Sequence, residues 1–437
     1  MSPRAALLWA PGAWVEGRWR ERVLLEVGND GYWLSITPDQ PAPPHAEVLT
    51  GPVLPGLVNA HSHAFQRAFA GLAERRDSEH DDFWSWRDRM YGVALRITPD
   101  ELRAVATGLY AELLQGGYTH VCEFHYLHHA PDGMPYGNPL AMCEALAQAA
   151  AATGIGLTLL PVLYERAGFS QPALREDQRR FRTDVRSVLG LRDGIRAARW
   201  AGVDAGVAIH SLRAAAPASI HALRAALVGD DGPVHIHVAE QTAEVDDCLA
   251  ATGHRPIAWL AHQGLLDARW QLVHATHATP EEINAVARSG AGVVLCPTTE
   301  ANLGDGIPDL PCWLSAGVPW AIGSDSHVGR DAAEELRWLE YAQRLVQRRR
   351  NVTAAPGTQP ATAARLFEGA LAGGAAAASL PLAGLLPGAW ADLLVLGDDG
   401  ADLPHRLDTW VFSSPRPALR AVMARGRWCR PVGLQNP

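Results

Sequence analysis

Lysine is missing altogether: all 38 basic residues among the 437 are arginine. That absence removes Schiff-base chemistry, a phosphate-cradling P-loop lysine and a metal bridge through a carboxylated lysine, because each needs an ε-amine. A chain this rich in Ala, Gly, Pro and Arg is what codon usage in a GC-rich genome produces, but the chemical exclusion holds whatever its origin. Excess positive charge is missing too. The net charge is −9, and the one compact basic run, Arg348-Arg349-Arg350, closes a helical stretch and reads as a solvated helix C-terminus. Nucleic acid is therefore not an expected partner. The six cysteines (Cys122, Cys143, Cys248, Cys296, Cys312, Cys429) contain no Cys-x-x-Cys pair, which points to reduced thiols in a cytoplasm and not to a disulfide framework. Long apolar runs are also lacking. The N-terminal stretch Met1–Trp14 is too short in apolar residues for a leader. The uncharged run Gly369–Ala391 is broken by Pro381 and Pro387, so it reads as a helix end and a turn, with no membrane partner expected.

What is present suffices for a large core. Hydrophobic residues make up 48% of the chain against 19% charged, which excludes wholesale disorder. Residues 1–55 look β-rich, with Arg22–Val27 and Tyr32–Ile36 as short apolar segments between turn residues. Residues 381–437 repeat that texture in Ala391–Leu396 and Leu419–Ala424. Neither end is long enough for a comfortable domain alone, so both are expected to pair into one small β-sandwich domain. Between them, residues 56–380 alternate short apolar runs with amphipathic helical stretches. The runs are Leu54–Asn59, Tyr118–Phe124, Gly156–Leu163, Gly206–His210, Val234–Val238, Gln271–His274, Gly292–Cys296 and Trp320–Gly323. Eight such runs, each followed by a polar loop and a helix, predict an α/β fold, a (β/α)8 TIM-like barrel. Their nearly continuous apolar character fits strands buried on both faces.

Most of these runs end in residues capable of chemistry. In Asn59-Ala60-His61-Ser62-His63, strand alternation puts both imidazoles on one side, within reach of a single ion. The fifth run reads Val234-His235-Ile236-His237-Val238-Ala239-Glu240. His237, nearer the carboxyl end, is the better ligand, while His235 can be a core histidine and Glu240 a proton carrier or a solvated loop carboxylate. The sixth ends in His274 and the eighth in Asp325. Barrel enzymes place their sites at the carboxyl ends of the strands. Histidines and an aspartate at the ends of runs one, five, six and eight therefore form one constellation, and three neutral imidazoles plus a carboxylate suit a divalent transition metal with an open water position.

The segments PGLVNAHSH, HIHVAE, LVHATH, GSDSH and GLLPGAWADLLVL resemble the amidohydrolase superfamily, and the resemblance spans nearly the whole chain. HSHAFQRAFAGLAE, FWSWRDRMY, EFHYLHH, HSLRA and HVAEQ are similar to the branch acting on formimidoyl amino acids. Residue by residue, the resemblance implies one zinc held by His61, His63, His237 and Asp325, with Glu240, His274 and Asp325 handling protons. It implies substrate contacts at Gln66, Arg87, Tyr126, His210 and Arg213. His277, His327 and the His128-His129 pair are read as supporting or structural. The implied reaction is deimination of N-formimidoyl-L-glutamate to N-formyl-L-glutamate and ammonia, in histidine degradation, by a cytoplasmic homodimer. Iron and manganese suit the same donors.

Rigid bidentate guanidinium groups match the two carboxylates of that small-molecule substrate. Arg87, within Trp84-Ser85-Trp86-Arg87-Asp88-Arg89, can equally stack on tryptophan and pair with an acid. Two rival readings differ in their needs. A guanine- or adenosine-type deaminase wants aromatic walls and fewer arginines, and a non-catalytic scaffold relative would have lost ligands or Glu240. With no lysine to carboxylate, and His210 near Arg213 on the fourth strand, one metal is expected over two, a glutamate or cysteine bridge being the remaining route to a second.

Overall fold

The computed structural model describes residues 6–74, 83–398, 400–415 and 418–429. The first five residues of the stretch tested for a leader, and the chain's last eight, lie outside that range. Eight parallel strands form the centre: β1 (Leu57–Ser62), β2 (Tyr118–His125), β3 (Gly156–Leu163), β4 (Val207–Ile209), β5 (Val234–Val238), β6 (Trp270–His274), β7 (Gly292–Leu295) and β8 (Trp320–Ile322). Each pairs in parallel with the next. The ring closes through an isolated parallel bridge between Ser62 and Asp325. Every residue of these eight strands is buried. Such strands must be apolar on both faces, which is why the runs are legible and why they do not alternate.

The helices between strands carry their own start and stop signals. The helix Pro280–Ser289 after β6 opens on a reciprocal Thr279/Glu282 capping box and ends at left-handed Gly290. The helix Ala332–Gln347 after β8 ends at Arg348, so the arginine run does sit at a helix C-terminus. The uncharged run covers the end of the helix Thr362–Ala377 and the turn after it. Among the described residues no helix is long and apolar enough to cross a membrane.

Both chain ends meet in one eight-stranded sheet. Val53–Leu54 pairs antiparallel with Leu393–Val395, stitching the amino-terminal strands to the carboxyl-terminal ones. Leu8, Val23, Leu25, Val53, Leu393 and Met423 bury into a core of its own. Two details depart from the sequence expectation. The first run does not make one strand, because Val53–Leu54 belongs to the end sheet and β1 starts only after Pro55, which cannot donate to a ladder. The strand Ala6–Val15 carries Pro11-Gly12 and so hides from a breaker-based reading, yet its pairing simply steps from Ala10↔Val23 to Gly12↔Glu21.

Gly323, just after β8, is where the closing strands touch most tightly. A Cβ there would lie 2.7 Å from the His61 Cβ and 3.0 Å from its backbone nitrogen. Gly323→Ala must push β1 and β8 apart, so it should cost about 1–3 kcal/mol of stability. An unchanged thermal unfolding midpoint would refute that contact.

Candidate active site

Parallel strands all point their carboxyl ends to one mouth, so the residues ending β1, β5, β6 and β8 converge there. His61, His63, His237 and Asp325 bring one ligating atom each to within 4.8 Å of one another, all buried. Asp325 Oδ1 lies 3.2 Å from His61 Nε2 and 3.3 Å from His63 Nε2. The Nε2 atoms of His61 and His237 are 2.9 Å apart. His63 and His237 hold their outer nitrogens by donating Nδ1–H to the carbonyls of Phe124 (2.9 Å) and His210 (3.0 Å). That tautomer turns the Nε2 lone pairs toward a common point. Burial lowers the basicity of His61 to about 3 and lowers His63 and His237 as well, so protonation does not relieve the crowding of lone pairs. Burial opposes the Asp325 carboxylate, but the hydrogen bond with His61 and the electrostatic pull of the surrounding imidazoles, cationic His274 among them, hold it well below the usual range. Neutral imidazoles around an ionised carboxylate are the donor set a divalent cation fits. His235, two residues earlier on the same face of the strand, lies deeper and meets the Ala377 carbonyl at 2.8 Å, the core role left open for it.

Glu240 and His274 stand beside this cluster. His274 Nε2 lies 3.7 Å from Glu240 Oε1 and 4.0 Å from Asp325 Oδ2, while its Nδ1 faces Glu300 Oε1 at 3.5 Å. Burial works against a charged His274, yet the nearby carboxylates of Glu240, Glu300 and Asp325 outweigh it and raise the group to about 10. Burial pushes Glu240 up to about 7, so both protonation states lie near neutrality, as a proton carrier requires. Asp305, nearby and also buried, rises to about 9.

The backbone at this mouth is unusual. Ala239, His274, Ala275, Asp325 and His327 all have positive φ, between 45° and 67°. Five left-handed non-glycine residues are costly and persist only where surrounding structure over-determines them. A buried network supplies that support. Glu123 on β2 accepts from Ser62 Oγ and the Ala64 backbone N–H, each at 2.6 Å. Ser62 Oγ lies 3.3 Å from His327 Nε2, whose Nδ1 meets Ser324 Oγ at 3.0 Å. Asn59 ties in by donating to Ser324 Oγ and accepting from the Ser324 N–H. His327 is thus a supporting residue. Glu123, Glu300, Asp305, Asn59 and Ser324 escaped the sequence reading, although a lone carboxylate in the apolar run Tyr118–Phe124 was a usable signal for Glu123.

The five residues expected at the substrate all line one cavity with His63, His237, Glu240, His274 and Asp325. Gln66 donates to the Tyr126 hydroxyl at 3.1 Å, and its Oε1 is buried without a partner. His210 sits at the end of β4, with its ring 4.5 Å from that of Tyr164. Trp84, on the helix Phe83–Ala94, lies 4.6 Å from the Arg87 guanidinium and 5.1 Å from that of Arg213. Arg87 also meets Asp88 at 3.5 Å, so the stacking and pairing considered for it both occur. Even so, Arg87 Nε and an Arg213 Nη1 remain buried without an acceptor. Arg87 reaches the cavity of its own chain. Tyr91, Tyr126, Tyr164 and Trp86 complete the wall.

The amidohydrolase family profile matches residues 53–429. Formimidoylglutamate deiminase of Pseudomonas aeruginosa is 48% identical over 427 residues, covering 96% of this chain and 94% of its own length. The crystal structure of an amidohydrolase from Brucella melitensis superposes with a TM-score of 0.91 at 44% identity, over 97% of this chain and 94% of that one. A zinc-bound adenosine deaminase from Xanthomonas campestris, 24% identical, shares the fold with a TM-score of 0.79 over 98% and 93% of the two chains.

The geometry separates the two histidines of the fifth strand. His237→Ala should lose one equivalent of bound metal per chain relative to wild type by elemental analysis, whereas His235→Gln should keep it. Full loading of the His237→Ala protein would refute the cluster.

Proposed function

The chain belongs to the amidohydrolase family, and on that premise we propose that it hydrolyses N-formimidoyl-L-glutamate to N-formyl-L-glutamate and ammonia. The observation that carries the substrate is the pair of guanidinium groups, Arg87 and Arg213, with unpaired buried N–H groups on the wall of the cavity that also holds the His/Asp cluster. The glutamyl portion brings two carboxylates, and each charged hydrogen bond to such a group is stronger than a neutral one. The high identity to the Pseudomonas aeruginosa enzyme supports the same reading.

We take zinc as the ion, held by His61, His63, His237 and Asp325. When bound it acidifies a water molecule and polarises the amidine. The remaining steps belong to the chain. Asp325, ionised and within 4.0 Å of His274, accepts the proton of the attacking water. His274, kept cationic by Glu240 and Glu300, faces the negative charge that develops during attack. Glu240, with a pKa near 7, delivers a proton to the departing nitrogen. The C–N bond to that nitrogen breaks, ammonia leaves, and the oxygen of water stays on carbon as the formyl group. Gln66 and Tyr126 orient the amidine, and His210 closes the side of the site next to His237, whose Nδ1–H its carbonyl accepts. Residues 56–380 make the catalytic unit, and the chain works as a cytoplasmic homodimer, a reading in keeping with six free thiols.

The aromatic wall is the feature that favours a ring-deaminating alternative. Part of it has another use here, because Tyr91 lies 5.6 Å from the Arg87 guanidinium, and Trp84, outside the lining, lies 4.6 Å and 5.1 Å from the guanidinium groups of Arg87 and Arg213. Rings that hold arginines in place by cation–π contact do not by themselves select a flat substrate.

Ammonia release should be at least about tenfold faster from N-formimidoyl-L-glutamate than from N-formimidoylglycine, since a charged hydrogen bond contributes about 1.5–3 kcal/mol. Equal rates, or faster release from guanine, would overturn the assignment. Arg213→Ala should raise KM about 10–100-fold with a smaller change in kcat, and an unchanged KM would remove the carboxylate clamp. Glu240→Gln should lower kcat about 10²–10⁴-fold at unchanged metal content; near-normal turnover would transfer the proton to another group.

A further inference from the structure

A second cluster of ligating side chains stands outside this site. His125 ends β2, His128 lies in the loop that follows, and their rings sit 5.0 Å apart at 84°. Cys143, on the helix Ala141–Thr153, packs against them, and one ligating atom from each of the three lies within 4.8 Å of the others. All are buried, at 3%, 5% and 1% exposure in that order. Both ring nitrogens of His128 and Nε2 of His125 lack any hydrogen bond of ordinary geometry, and Cys143 is a free thiol. Buried polar atoms are nearly always satisfied, so three orphaned imidazole nitrogens beside one thiol call for a partner. His128 also lines an open cavity with Tyr136, Leu140, Glu165, Asp184 and Leu191, which supplies a path from solvent.

We propose that His125, His128 and Cys143 form a second metal site for one borderline or soft transition ion of the Zn²⁺ or Cu⁺ class. Two neutral imidazoles and one thiolate are the donors such ions prefer, with a fourth position open to water from the outer cavity. Binding replaces the Cys143 S–H bond with a sulfur–metal bond and releases that proton to solvent. Burial, aided by the nearby Arg180 guanidinium, keeps His125 neutral; burial also pushes the Cys143 thiol up to about 12, so its proton leaves only in exchange for the ion. An ion here would staple the strand end carrying Phe124 and Tyr126 to the neighbouring helix. Phe124 holds His63 through its carbonyl and Tyr126 lines the substrate cavity, so the staple would position the catalytic mouth from outside.

The test is cobalt loading of the full-length protein after chelator stripping. Two equivalents should bind, with a near-ultraviolet thiolate-to-cobalt absorption band. Cys143→Ser and His128→Gln should each lose one equivalent and the band, whereas His237→Ala should lose the other equivalent and keep it. Cys296, beside His274 and Asp325, is the competing thiol, so Cys296→Ser must retain the band. X-ray absorption on zinc-loaded wild type gives a reading free of variants and should show a sulfur neighbour at about 2.3 Å. One equivalent with a nitrogen- and oxygen-only shell, or a band that survives Cys143→Ser, overturns the proposal.

Discussion

Two backbone hydrogen bonds hold this structure and its chemistry together. The Asp325 N–H donates to the His61 carbonyl at 3.0 Å, and the His63 N–H donates to the Asp325 carbonyl at 3.3 Å. They close the ring of strands, and they do so through three of the four members of the ligand cluster. Closing the barrel and assembling the donors are therefore one event. The absence of a side chain at Gly323 lets the first and last strands come this close, and the network from Glu123 through Ser62, His327 and Ser324 to Asn59 keeps the left-handed turn at Asp325 from relaxing.

That closure forces an electrostatic problem on the site. His61 and His237, whose Nε2 atoms approach to 2.9 Å, and His63, turned inward by the Phe124 carbonyl as His237 is by that of His210, cannot satisfy one another. The same low-dielectric surroundings push Glu240 up toward neutrality and make the charge on His274 depend on its two glutamates. Strain, burial and unshared lone pairs accumulate at one point because each is tolerated only where the surrounding barrel is rigid. The cavity wall repeats the pattern with opposite charge, in guanidinium groups that stack on Trp84 and are left with donors to spare.

Much of this was legible in the residues. Eight apolar runs located the strands to within a few positions, because strands buried on both faces cannot hide among polar residues. His61, His63, His237, His274 and Asp325 stood out as polar groups ending such runs. Other features were silent for physical reasons. Ala6–Val15 carries Pro11-Gly12, which local rules treat as an end although the pairing steps over it. Glu300, Asp305 and Ser324 have no local pattern that distinguishes them from helix-cap or turn residues. Their roles come from neighbours more than twenty residues away, such as His274 for Glu300 and Asn59 for Ser324.

By itself, the sequence determined which chemistries were open. Having no lysine, it could not form a carboxylated-lysine bridge or an imine, and its arginines were the only fixed cations available for anionic groups. It also marked the barrel strands, since a continuous apolar run is a local property. Only the tertiary structure decided which histidine of the fifth strand meets the cluster and which the Ala377 carbonyl, because alternation puts both on one face and only their depth along the strand, set by packing, separates them. It alone brought Arg87 and Arg213, far apart in the chain, to the same indole, that of Trp84. Distances between residues remote in sequence are set by packing, and no local pattern encodes them.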